Sequence, residues 1–383
     1  MTDHRPALDW LAAQHGAMIG LLEELVNLDS GSYDKPGVDA VIARLARFLE
    51  AEGIAAQRTA NETYGDALTG TVPGPGGVNR PIVLMGHCDT VFPEGEPARR
   101  PFRIADGRAY GPGVADMKAG LVMNAFVLAA FRRFGGQPAP LVGLFTSDEE
   151  IGSPACRPII EATAREARAV LNAEPGRPTG NVVTGRKGGV FLQLNVEGKA
   201  AHSGGAYAAG ISAIGELAHK TIALHALTDL EAGVTVNVGL VSGGQSVNTI
   251  APHAEAQIDL RYVEPAQRAE AMAAIQAIVD RTWVPGTTAR LAIRGEFLPL
   301  VQDEGARALF EAYVGAMKGL GHAVEGEFSG GCADSGFTAS VGCPTLCSTG
   351  PVGGRAHSPE EYLEVDSLVP RAQGTFLTVA GLR

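Results

Sequence analysis

The chain has 383 residues, 45% of them hydrophobic, enough at roughly 150 residues per domain for two or three domains; disorder and a minimal disulfide-stapled scaffold are excluded. Its 31 basic and 42 acidic residues give a net charge of −11 with no Lys/Arg run, so neither nucleic acid nor an anionic membrane is an expected partner. Five scattered cysteines without a C-x-x-C pair fit a reducing, cytoplasmic setting better than a secreted framework or a zinc ribbon.

In chain order, Leu8, Leu11, Met18, Leu22 and Leu25 share one helical face, and Val38, Val41, Leu45, Phe48 and Leu49 share another after Pro36. Short apolar runs then alternate with helical patterns: a strand at 82–85, a helix from about Met117, a strand at 141–145, a helix near 157–168 and a strand at 169–171. The longest apolar segment, around 121–131, contains Asn124 and is too short to span a bilayer. Continuously apolar strands separated by helices predict an α/β domain whose mixed, mostly parallel sheet is covered on both faces. Reactive groups are then expected past the carboxyl ends of the strands.

From about Lys187 the period changes. Val190, Leu192, Leu194 and Val196 alternate with polar neighbours, as do Val234 to Leu240, Ala256 to Tyr262, and Ala289 to Ile293, with helical patterns around Leu217 and Ile275. The order β-α-β-β-α-β predicts an inserted ferredoxin-like α+β domain over 187–296, so the α/β domain is discontinuous, over 1–186 and 297–383. A helix near 306–320 and a strand at 344–347 resume the first pattern.

Polar clusters follow four of these strands or open the helix between them. His87 and Asp89 flank Cys88, two apart and therefore on one side of an extended segment, an imidazole with a carboxylate to orient it. Asp116 follows a tight Gly111-Pro112-Gly113 turn, Asp148, Glu149 and Glu150 follow the 141–145 strand, Glu174 follows the next, and His357 precedes Ser358 and Glu361. Each has an ordinary explanation: an N-cap for Asp116, a solvated loop for the three acids, a capping box for Ser358 and Glu361. Their coincidence at one sheet edge argues for a site instead, with the carboxylate and imidazole donors that suit zinc, manganese or cobalt.

This ordered set closely resembles the dinuclear zinc exopeptidases and aminoacylases, the family that includes bacterial glutamate carboxypeptidases and succinyl-diaminopimelate desuccinylases, over nearly the whole chain. The resemblance implies two Zn2+ ions, with Co2+ or Mn2+ as alternatives. His87, Asp116 and Glu174 would hold one, and Asp116, Glu150 and His357 the other, with Asp116 bridging. It makes Glu149 the general base and Asp89 the carboxylate behind His87, and it implies a cis peptide at Asp116-Met117. In the inserted lid, Lys199 to Gly204 resembles the segment whose histidine, here His202, reaches the opposite subunit's site in a homodimer. Asn248 and Arg261 resemble substrate-binding residues, Arg261 gripping a free carboxylate. Gly331 and Asp334 lie on a loop that resembles another near the site.

The activity implied is amide hydrolysis of a dipeptide or N-acyl amino acid. Folate-cleaving members carry Arg-Gly-Arg-Pro at the end of the lid, where this chain has Arg294-Gly295-Glu296-Phe297. Glu296 would repel an acidic leaving residue if it pointed inward, which weighs against C-terminal glutamate. A glutamate carboxypeptidase and a regulatory homologue without catalysis are the two alternatives.

Overall fold

The computed structural model describes residues 3–77 and 80–382. The chain forms two compact units. One is discontinuous, comprising the chain up to Gly185, Gln302–Ser329 and the stretch from Ala333 onward; the other comprises Arg186–Val301 with Gly330–Cys332.

The discontinuous unit is built on a six-stranded sheet in the order Ala55–Thr59, Ala67–Val72, Leu141–Thr146, Ile82–His87, Ala169–Asn172, Thr345–Leu346. The first two junctions are antiparallel and the remaining three parallel, so the sheet is mixed and mostly parallel, as expected. Ile82–His87 is buried at every position, which is why its sequence is continuously apolar rather than alternating. Helix Ala119–Phe134 is buried from Ala119 to Phe131, and burial all round explains a helix without a polar face. The apolar stretch Val114–Phe134 is longer than the sequence suggested; its 21 residues match a bilayer crossing by length and composition, but its most apolar 18-residue window is wholly buried inside this protein. The first predicted helix is in fact two, Arg5–Ala13 and His15–Val26, because Gln14, with ψ near 2°, interrupts the helical path.

The other unit is a four-stranded antiparallel sheet in the order Thr235–Gly243, His253–Tyr262, Gly188–Glu197, Thr288–Phe297. Helices Ala213–His225 and Pro265–Asp280 lay Leu217, Leu224, Ile275 and Val279 against Val190, Leu192, Leu194 and Val196. The unit extends beyond the 187–296 read from periodicity. Arg186 and Leu300 pair through their backbones in both directions at 3.1 Å, and the Arg186 side chain donates to the carbonyls of Gly331 and Cys332 at 3.2 Å. These are pairings between residues distant in sequence, which periodicity does not register.

Candidate metal centre and active site

His87 ends its strand, while Glu149 and Glu150 follow the Leu141–Thr146 strand and Glu174 follows Ala169–Asn172, so three parallel neighbours deliver side chains to one edge. Asp116 arrives from a different direction, on the irregular turn Val114–Lys118, where Asp116 and Met117 leave helical φ/ψ and their peptide is cis, as the resemblance implied. Asp116 is therefore not a helix cap; Lys118 occupies that position. The helix behind the turn comes close because Gly120 has no side chain: a β-carbon there would lie 2.1 Å from the Ala173 carbonyl oxygen, beside Glu174. His357 comes from a turn that holds Arg355 and His357 at φ 57° and 62°. This left-handed conformation costs a residue with a β-carbon on the order of 1–2 kcal/mol.

The side chains meet in two groups. His87 Nε2 lies 3.3 Å from Asp116 Oδ1 and 3.6 Å from Glu174 Oε1, and His357 Nε2 lies 3.3 Å from Asp116 Oδ2 and 3.1 Å from Glu150 Oε2. Within each of the groups His87/Asp116/Glu174 and Asp116/Glu150/His357, one donor atom per residue lies within 4.8 Å of the others. Buried atoms at the junction, His87 Nε2, Asp116 Oδ1 and Glu150 Oε1, have no hydrogen-bond partner, an expensive arrangement unless a cation completes it. The residues present therefore fit a pair of divalent ions.

The charges that converge here perturb one another. Burial opposes charge on His87, but the Asp116 and Asp89 carboxylates facing it outweigh it and hold the imidazole well above its usual range. Burial likewise raises Asp116, yet the His357 and His87 imidazoles facing its two oxygens hold it below the usual carboxylate range. His357 is pushed up to about 10 by Asp116 and Glu150. Burial and Asp116 together push Glu150 up to about 7. A dication would replace the shared protons.

Asp89 organises the arrangement from behind. His87 Nδ1 faces the Asp89 carbonyl oxygen at 3.0 Å, so that nitrogen carries a proton and Nε2 is left to ligate. The Asp89 carboxylate accepts the backbone N–H of Glu149 and of Glu150 at 3.1 Å each and the Ser32 hydroxyl at 2.6 Å. Glu149 belongs to neither donor group; its Oε2 is 3.9 Å from His87 Nε2, and burial raises its carboxyl well above the ordinary range, with Glu174, Asp334 and Glu150 adding to the shift. Asp334 is buried and accepts from the Ser153 hydroxyl.

Sequence reasoning missed one residue of this site. Glu361, read as half of a capping box, starts no helix. Its buried carboxylate accepts the backbone N–H of Gly113, Ala115 and Asp116 at 3.1, 2.8 and 2.9 Å, clamping the turn that presents Asp116. Ser358 instead donates to the Arg355 carbonyl. An acid four residues past His357 carries no local signal that it will meet a turn some 245 positions earlier.

In the other unit, His202 and Asn248 are neighbours on exposed loops: Ser203 N–H donates to the Asn248 carbonyl at 2.9 Å, and His202 bridges Thr249. His202 Nδ1 accepts from the Gly204 and Gly205 amides at 3.1 and 3.0 Å, which places the proton on Nε2. Arg261 donates through Nε to Asp259 at 2.8 Å and through Nη1 to Cys332 Sγ at 2.7 Å. Glu296 is ion-paired with Arg268 of helix Pro265–Asp280, so its charge is balanced within its own unit.

The family model described as peptidase family M20/M25/M40 matches residues 83–379. The chain belongs to this peptidase family. It is 31% identical to Carboxypeptidase G2 of Pseudomonas sp. (strain RS-16), over 93% of this chain and 86% of that one. Its fold is shared with the M20 family metallo-carboxypeptidase Sso-CP2 of Sulfolobus solfataricus, at a TM-score of 0.78 and 18% identity over 95% and 98% of the two chains. It is also shared with the Bacillus subtilis YXEP protein, described as a dinuclear metal binding peptidase, at a TM-score of 0.68 and 17% identity over 96% and 98%. As an M20 peptidase the chain is a metal-dependent hydrolase of the metallopeptidase class, and the two donor groups are where its residues could hold metal.

Proposed function

We propose that this M20 peptidase is a dizinc amidohydrolase that releases an amino acid from a dipeptide or N-acyl amino acid bearing a free carboxylate. The observation that carries the reading is Asp116, whose Oδ1 faces His87 and whose Oδ2 faces His357, each at 3.3 Å, so one carboxylate serves both donor groups. His87, Asp116 and Glu174 would hold one zinc ion, and Asp116, Glu150 and His357 the other; no cysteine stands among them, and Co2+ or Mn2+ suits the same donors. When bound, such a pair lowers the pKa of water and polarises the amide carbonyl.

The chain's own residues supply the proton path. Glu149, outside both donor groups and raised by burial, accepts a proton from the attacking water and delivers it to the nitrogen as the C–N bond breaks. Asp89 holds His87 and both following glutamate amides in register. His202, with its proton fixed on Nε2, is suited to donate to the carbonyl oxygen as negative charge develops, acting in a homodimer on the partner's site. Support for that dimer comes from the edge strand Thr235–Gly243, whose Leu240 and Val241 are 62% and 60% exposed. Asn248, beside His202, and Gly331, on the loop held by Arg186, complete the substrate contacts, and Arg261 binds the free carboxylate.

The test is Glu149→Gln, expected to keep two equivalents of zinc by calorimetry while losing about 10^2–10^4-fold in kcat; a variant with both zinc ions and normal turnover removes Glu149 from this role. The likeness to Carboxypeptidase G2 supports a carboxypeptidase, and with the resemblance to glutamate carboxypeptidases it makes release of C-terminal glutamate the second reading. One acyl group joined to glutamate, aspartate, leucine, alanine or lysine separates the two: strong selection for glutamate establishes the second reading, while selection for neutral or basic residues establishes the first.

A further inference from the structure

Beside the donor groups, in the same unit, lies a cleft of about 570 Å³, within the size range of small-molecule sites, with Glu150 in its wall. Tyr33, Val91, Phe92, Pro93 and Ile151 form its apolar lining. The charged residues of the lining are Asp34, Glu94 and Glu150, all acidic. Asp34 is occupied in accepting the Gly37 N–H at 3.1 Å, and Glu94 is exposed. Arg100 stacks on the Phe92 ring at 4.9 Å, but it is ion-paired with Glu96 and donates to the Pro359 carbonyl.

The wall is built rather than incidental. Thr90 N–H donates to the Ser30 carbonyl at 2.8 Å, Ser32 N–H donates to the Thr90 carbonyl at 3.2 Å, and the Ser32 hydroxyl reaches Asp89 at 2.6 Å. Gly31 is required, since a β-carbon there would lie 2.6 Å from the Phe92 carbonyl oxygen. These bonds fix the cleft to the carboxylate that orients His87. At its mouth Tyr33 is 78% exposed and Val91 42%, leaving large apolar surface open to solvent directly beside the site.

We infer that this cleft receives the acyl half of the substrate and selects an uncharged aromatic or aliphatic acyl group over an anionic one. The inference rests on the amidohydrolase reading, in which the leaving residue carries a carboxylate. With Glu150 committed to a metal ion and Asp34 to the Gly37 amide, the lining offers that carboxylate no cation and Glu94 repels it, so the leaving residue is directed elsewhere and the other half of the substrate occupies the cleft. The same repulsion disfavours a dicarboxylic acyl group such as succinyl, while the Tyr33 and Phe92 rings gain from covering an apolar one.

The test measures binding of the N-acetyl, N-benzoyl and N-succinyl derivatives of one amino acid to zinc-loaded Glu149→Gln protein by calorimetry, alongside turnover by the wild-type zinc enzyme. The benzoyl compound is expected to bind about 10-fold tighter than the acetyl compound and tighter still than the succinyl compound. Tyr33→Ala, at an exposed position, should lower benzoyl affinity about 10-fold and leave acetyl within about twofold. Glu94→Gln should improve succinyl binding several-fold and spare the others. Tightest binding of the succinyl compound, a benzoyl preference that survives Tyr33→Ala, or no binding of any of the three overturns the subsite. A wild-type enzyme that shows the binding pattern yet hydrolyses none of the compounds overturns the hydrolase reading and leaves the subsite standing. Hydrolysis of all three with equal kcat/KM does the reverse.

Discussion

The Glu361 carboxylate accepts the backbone N–H of Asp116 at 2.9 Å, joining two residues 245 positions apart. With Oε1 also accepting Ala115 N–H and Oε2 accepting Gly113 N–H, one side chain satisfies three amides of the turn that carries the shared carboxylate. Glu361→Ala should therefore lower zinc affinity about 10–100-fold, the range for residues that orient ligands. Glu361→Gln should do little better, because its NH2 group would face an N–H donor. Zinc titration by calorimetry or with a competing chromophoric chelator checks both; unchanged affinity in either variant removes Glu361 from metal positioning.

Metal should also stabilise the discontinuous unit. Several buried donor atoms now face one another without a hydrogen-bond partner, and ions that bind the folded state alone shift the unfolding equilibrium by mass action. At a free zinc concentration 100 times Kd, the gain is about 2.7 kcal/mol per site. A chelated sample should melt at lower temperature than one with zinc restored, and equal melting temperatures would contradict the two-site assignment.

Asp334 gives a pH dependence with a defined sign. Burial pushes its carboxyl from the ordinary 3.8 up to about 8, with Ser153 opposing and Asp148 and Asp89 reinforcing the shift. A carboxyl raised in the folded state contributes stability that is complete below the unfolded value and lost as pH rises toward the folded one. In chelated protein, Asp334→Asn escapes that loss, and its Oδ1 can still accept from Ser153. Its melting temperature relative to wild type should rise between about pH 4 and pH 8; a flat difference would mean that Asp334 is ionised throughout.

In the other unit, Glu216 and Lys220 form an ion pair at 2.9 Å, each 1% exposed. Glu216 also accepts the amides of Trp283 and Val284, and Lys220 donates to the carbonyls of Ile278, Val279 and Arg281, tying helix Ala213–His225 to the last turn of Pro265–Asp280 and the segment after it. Lys220→Met should cost about 3–5 kcal/mol, because it leaves a buried carboxylate without its counter-charge. Glu216→Gln combined with Lys220→Met should cost less than the sum of the two. Trp10 and Trp283 are the chain's two tryptophans, so Trp283 fluorescence in a Trp10→Phe background reports this unit's unfolding; strict additivity would show that the pair does not act as one.

The sequence by itself determined the two periodicities, and hence a buried parallel-type sheet and a half-buried antiparallel one, because the number of covered faces is written directly into the spacing of apolar residues. It also determined the donor types, since His87, Asp116, Glu149, Glu150 and Glu174 stand at or just past strand ends or in a glycine turn, where the local pattern exposes them. Tertiary structure decided what depends on residues far apart in the chain. The closure of the second unit by Arg186 with Leu300 and Gly331, and the pairing of Glu296 with Arg268, leave no periodic trace. Glu361 is the clearest case: three residues after Ser358 it matches a helix start, but the free energy is decided by three otherwise unsatisfied amides around Asp116, and only the folded chain brings them within reach.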